Sequence, residues 1–180
     1  MKSRRTGPLM ALGTLFLLSG AAALIYEVIW FRLLTLKLGG TGLAVATVTA
    51  AFMTGLGLGA WLFGTRWAKE LPPILLYAVL EGAVGAYALV VSPLVDFAAS
   101  LDALLLDPSA GGLSVHVIRF LLAGAVLVPP TLCMGGTLPA LARLVEREPH
   151  RPGRFIGVLY GLNTSGAVLG AWMGGFILLP

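Results

Sequence analysis

Charge is what this sequence has least of. Asp, Glu, Lys and Arg make up 11% of its 180 residues against 58% hydrophobic ones, whereas soluble domains carry roughly a quarter charged residues. That scarcity excludes a soluble globular domain. The basic residues also lack the aromatic interleaving and motifs of a nucleic-acid surface, so no nucleic-acid partner is expected. Cysteine is almost absent: Cys133 stands alone, which excludes an internal disulfide and a multi-cysteine metal site and leaves it as a small packing residue. His116 and His150 have no ligand-type companions at useful spacing, so both read as solvated and no metal is expected. Also missing are an intramembrane nucleophile with a base and catalytically spaced carboxylates, so no catalytic residue and no cofactor is expected, and the chain is not by itself an enzyme.

What is present is long apolar sequence. Five spans, at about 9–31, 41–64, 73–95, 115–137 and 155–179, each exceed the roughly 20 residues that cross a bilayer core. The sequence therefore predicts an all-α integral membrane protein, 1–180 forming a single membrane domain without a soluble one. Lys2, Arg4 and Arg5, then Arg66 and Lys69, then Arg143, Arg147, Arg151 and Arg154 fall on one side of these spans. Positive charge favours the cytoplasmic side, so the N-terminus is expected inside and Pro180 outside. Asp96, Asp102 and Asp107 fall in the opposite loop, while Arg32 and Lys37 snorkel from the outer end of the first helix. That helix has no clean cleavage site after its apolar run and reads as a retained span, not a signal peptide. The inner loop at 143–154 intersperses its arginines with Glu146 and Glu148, and its expected partner is anionic lipid.

The chain also repeats itself. Aligning Gly55 with Gly166 matches Leu58 with Leu169, Gly59 with Gly170, Ala60 with Ala171, Trp61 with Trp172 and Gly64 with Gly175. A weaker echo precedes each copy, 16–21 (FLLSGA) against 120–125 (FLLAGA). The unit is thus three spans long, and an odd number of crossings inverts the second copy. This is the 3+3 inverted repeat of one half of a major facilitator transporter. It is incomplete, because the third span has no second copy before Pro180. A homodimer, another partner, or a longer parent chain is expected to supply the sixth helix.

Several segments resemble the membrane region of the bacterial fused major-facilitator/spermidine-synthase proteins, in the family's order: 19–33 (SGAAALIYEVIWFRL), 51–60 (AFMTGLGLGA), 77–81 (YAVLE), 130–139 (PTLCMGGTLP) and 159–167 (LYGLNTSGA). The resemblance implies a bacterial inner membrane location, a transporter-like half-bundle and a polyamine connection. In such proteins a soluble aminopropyltransferase-like domain generally follows. Its glycine-rich strand-to-helix turn has no counterpart in a soluble context here, so aminopropyl transfer does not carry over.

Ionisable groups at membrane depth cost about 2.5 to 3.5 kcal/mol on insertion scales, so each calls for a reason. Glu81 is expected about 12 Å into the third span, where it is protonated, exposed to an aqueous cavity, or matched to a cationic ligand. Glu27 and Arg119 share a depth near the outer edge. They read as an ion pair aided by Arg32, as ligand-recognition or gating groups, or as interfacial snorkels. Pro129 and Pro130 fall mid-span, where each removes a backbone donor and obstructs the preceding turn, so a break or kink is expected. The freed carbonyls and Thr131 then face either a ligand cavity or neighbouring helices. Tyr160, Asn163 and Thr164 are the polar group of the fifth span and serve inter-helix hydrogen bonds or ligand contact. Gly55, Gly59, Gly166, Gly170 and Gly174 form ridges for close helix packing. The chain is expected either to bind or move a small, polyamine-like cation, or to act as a non-catalytic anchor and assembly module.

Overall fold

The computed structural model describes residues 6–38, 41–65, 71–106, 112–145 and 152–179. Six α-helices account for nearly all of them: α1 Thr6–Lys37, α2 Gly42–Thr65, α3 Pro73–Ala88, α4 Val91–Leu105, α5 Leu113–Val145 and α6 Pro152–Met173, the last running into a π-helical turn at Gly174–Leu178. Among the described residues there is no strand. Helices satisfy every interior backbone group within one segment, which hydrocarbon requires. Four of them, α1, α2, α5 and α6 with its π turn, are long and apolar enough to cross a membrane, and α3 with α4 makes a fifth if the bent pair is one span. The chain is a multi-pass membrane protein.

Local signals set the helix ends. The Thr41 hydroxyl accepts the Ala44 amide at 3.2 Å and its carbonyl accepts the Val45 amide at 3.1 Å, an N-cap that occupies donors the first turn leaves free. Pro73 opens α3, where its missing N–H costs nothing.

The expected span at 73–95 contains a 59° bend between α3 and α4. Pro93 provides the cause: it has no amide hydrogen to donate to the Leu89 carbonyl, and its ring crowds the preceding turn. The Leu89 and Val90 amides turn back to Ala86 and Tyr87 at 3.2 and 3.0 Å, closing α3 with tightened i to i−3 bonds. The expected acidic loop is corrected, because Asp96 and Asp102 are part of α4.

The described helices fall into two compact units. One comprises Met1–Ile29 with Leu144–Pro180, and the other comprises Trp30–Arg143. In the first, Phe16 of α1 and Leu159 of α6 are buried. In the second, Trp30, Leu34, Val48, Phe52, Leu80, Val95 and Leu127 supply much of the core, and Trp30 meets Tyr87 edge to face with ring centroids 6.1 Å apart. Large apolar side chains such as Trp61, Leu121, Val168 and Phe176 are exposed, as befits surfaces whose solvent is lipid.

Lys2, Arg4, Arg5, Arg66, Lys69, Asp107, Glu146, Arg147, Glu148, His150, Arg151 and Pro180 lie outside the described residues, as does the inner-loop lipid expectation that rests on several of them.

Candidate functional site

In α5, Pro129, Pro130 and Pro139 all lie within one continuous helix. Pro130 has no amide to offer the carbonyl of Val126, one turn earlier. The Tyr87 hydroxyl from α3 donates to that oxygen at 2.7 Å. The freed carbonyl is therefore taken by a neighbouring helix and not by a ligand cavity. Thr131 is fully buried, its hydroxyl donating to the Leu127 carbonyl at 2.7 Å. Thr137 does the same to Met134 at 2.7 Å. These back-bonds hold polar side chains against their own helix.

Arg119 pairs with Asp102 of α4, a partner the sequence did not single out. Its Nε donates to Asp102 Oδ1 at 3.0 Å and its Nη2 to Oδ2 at 3.2 Å. The guanidinium fork fits the two carboxylate oxygens, the strong geometry for such a pair. The pair is shielded, with Arg119 25% and Asp102 12% exposed. Lys37 pairs with Asp96 at 3.0 Å, on the surface, so Lys37 is a partner of α4 and not a free snorkel.

Glu81 is half-buried on α3 and has an interaction of its own. Glu27 is half-buried on α1 without a hydrogen-bond or ion-pair partner among the described residues. Two buried polar atoms, Thr35 Oγ1 and Arg143 Nη1, also lack a hydrogen-bond partner there.

Asn163 of α6 donates through Nδ2 to the Phe16 carbonyl of α1 at 3.1 Å. Tyr160 and Thr164 are exposed on α6, and Ser165 bonds its own helix at Gly161. The fifth-span polar group is thus divided between an inter-helix bond and an outer face.

The glycine positions decide how closely the helices approach. A Cβ on Gly55 would overlap Thr131 and press on Val128, and one on Gly59 would overlap the Leu132 carbonyl. In the other unit, a Cβ on Gly166 would overlap the Leu17 carbonyl, and one on Gly170 the Ala21 carbonyl. Gly174 lies against Val28 and Ile25. Backbones meet here without intervening side chains, the geometry small residues permit. The two crossings also share one register, since Gly55 to Gly166, Gly59 to Gly170, Leu17 to Val128 and Ala21 to Leu132 are each a step of 111 residues.

No group of three or more His, Cys, Asp or Glu able to hold a metal occurs among the described residues. Sequence reasoning missed Tyr87 and the role of Asp102. Tyr87 was discoverable as a hydroxyl within an apolar span needed by the carbonyls that a double proline frees. Asp102 continues the series Val91, Val95, Ala98, all buried on one face of α4. Comparison with models of protein families, with curated proteins and with solved structures finds no match to this chain.

Proposed function

We propose that this protein is a non-catalytic membrane scaffold, a helical module that anchors or assembles other components at the membrane. One observation carries the reading. The polar groups with the greatest potential for ligand chemistry are engaged inside the bundle: Arg119 by Asp102, the Pro130-freed carbonyl by Tyr87, Thr131 by its own helix and Asn163 by α1. Groups held by one another are not available to a substrate without breaking those bonds.

The shared register of the two glycine crossings supports descent of the bundle from an incomplete 3+3 inverted repeat, like one half of a major facilitator. The resemblance to the fused major-facilitator/spermidine-synthase family suggests the cargo of such an anchor, a soluble aminopropyltransferase-like domain on the cytoplasmic side of a bacterial inner membrane. Anionic lipid meets the basic inner loop of the bundle.

Glu27 favours a second reading, in which the bundle binds or moves a small polyamine-like cation. It is a half-buried carboxylate in a span with no partner among the described residues, and such groups mark ion or substrate paths in many membrane proteins. Calorimetric titration of the purified protein with spermidine and putrescine separates the two. The scaffold reading expects no saturable heat from a well-folded sample. Saturable binding that disappears in Glu27→Gln would replace it with the cation-binding reading.

A further inference from the structure

The exposed surface of α4 is divided in a way that a spanning helix does not need. Val91, Val95, Ala98 and Asp102 are buried along one stripe. Ser92, Asp96 and Ser100 are exposed along a second, one turn apart from each other. Phe97 and Leu104 are exposed along a third, at 62% and 79%, with Pro93 beside them. On a helix of about 100° per residue, the polar stripe is centred roughly 130° from the buried one, and the apolar stripe follows directly after it. A helix surrounded by hydrocarbon has no use for a continuous polar stripe, and one in water has none for exposed Phe and Leu. A helix lying along the boundary faces both media at once.

The ion pairs place α4 at the membrane's edge by an independent route. Asp96 is tied to Lys37, the last residue of α1, and Asp102 to Arg119, in the second turn of α5. If α1, α2 and α3 each cross once, the end of α1 and the start of α5 share a face. α4 then runs from one to the other along that face. Its dimensions agree. Residues 73–90 rise about 27 Å, close to the roughly 30 Å hydrocarbon thickness, so α3 and its closing turn cross without help from α4. The 59° bend then leaves α4 within roughly 30° of the membrane plane when α3 follows the normal.

We propose that α4 is an interfacial helix that lies in the headgroup region, with Ser92, Asp96 and Ser100 turned to water and Phe97 and Leu104 turned to acyl chains. Its partner is the lipid surface itself, continuous with the lipid that covers the spanning helices. The Lys37 and Arg119 pairs hold its middle and its C-terminal turn on neighbouring helices.

Single cysteines introduced into the Cys133→Ala protein test this in lipid nanodiscs, where both membrane faces are open to reagents. Ser92→Cys, Ser100→Cys, Phe97→Cys and Leu104→Cys carry a nitroxide, with Leu121→Cys on the exposed face of α5 as a control farther from the helix end. Far-UV circular dichroism establishes that each is folded. Collisions with a water-soluble nickel chelate are expected to be several-fold more frequent at 92 and 100 than at 97 and 104, and oxygen is expected to show the opposite order. Positions 97 and 104 should lie shallower than 121. Chelate exclusion at 92 and 100 equal to that at 121 would mean that α4 is part of a buried span. Equal, high chelate access at all four α4 positions would mean that the helix stands in water. Exclusion of both chelate and oxygen from 97 and 104 would mean that protein covers the stripe. Each of these results overturns the proposal.

Discussion

Removing Arg119 while leaving Asp102 in place should damage the protein more than removing both. The pair is bidentate, at 3.0 and 3.2 Å, and mostly shielded. Breaking a buried pair from one side leaves a charge without compensation, at a cost of about 3 to 5 kcal/mol, whereas exchange of both partners for apolar residues of similar volume is often neutral. Arg119→Met alone should therefore destabilise by an amount near the lower end of that range, since Arg119 retains 25% exposure. Asp102→Leu alone leaves the guanidinium unpaired, but its exposed part can reach water, so its cost should be smaller. The Arg119→Met/Asp102→Leu double variant should recover most of the loss, a coupling energy of about 2 kcal/mol or more. Reversible unfolding in mixed micelles, followed by tryptophan fluorescence, supplies the four free energies of the cycle. Additive effects within about 0.5 kcal/mol would refute the assignment of this pair as the lock between α4 and α5.

Further consequences rest on other contacts. Tyr87→Phe deletes the hydroxyl that occupies the Val126 carbonyl, and should cost about 1 to 2 kcal/mol in the same unfolding assay. Gly170→Leu should destabilise by about 1 to 3 kcal/mol or prevent folding, because a side chain there collides with the Ala21 backbone, whereas Gly157→Leu, with nothing within 4 Å of a Cβ, should lie within about 0.5 kcal/mol of the parent. Lys37→Ala should change stability by less than about 1 kcal/mol, and raised salt should shrink even that, because both partners are about half or more exposed.

The helices were legible because lipid imposes long apolar runs, and close packing was legible in the glycine spacing. The bend was not, since averaging hydropathy over 73–95 conceals a single Pro93 whose effect is local. Partner choice was not legible either. Arg119 could be assigned a depth from its distance along a span, but Asp102 reaches it only because α4 is a helix and turns that residue inward. Pro129 and Pro130 carried an expectation of a break or kink; the helix continues through both, and Tyr87 donates to the carbonyl that Pro130 frees. The weak echo of 16–21 in 120–125 aligns Ala21 with Ala125, while the glycine crossings equate Ala21 with Leu132, about two helical turns further on. Two turns return to the same face, so Leu, Ala and Gly runs slide by that amount with little loss of similarity.

The scaffold reading is tested most directly by movement of a cation. Purified protein in liposomes loaded with unlabelled spermidine should exchange labelled spermidine no faster than protein-free liposomes do. Counterflow above that background, abolished by Glu27→Gln in a protein that still folds, would contradict the account and make this bundle part of a transport path.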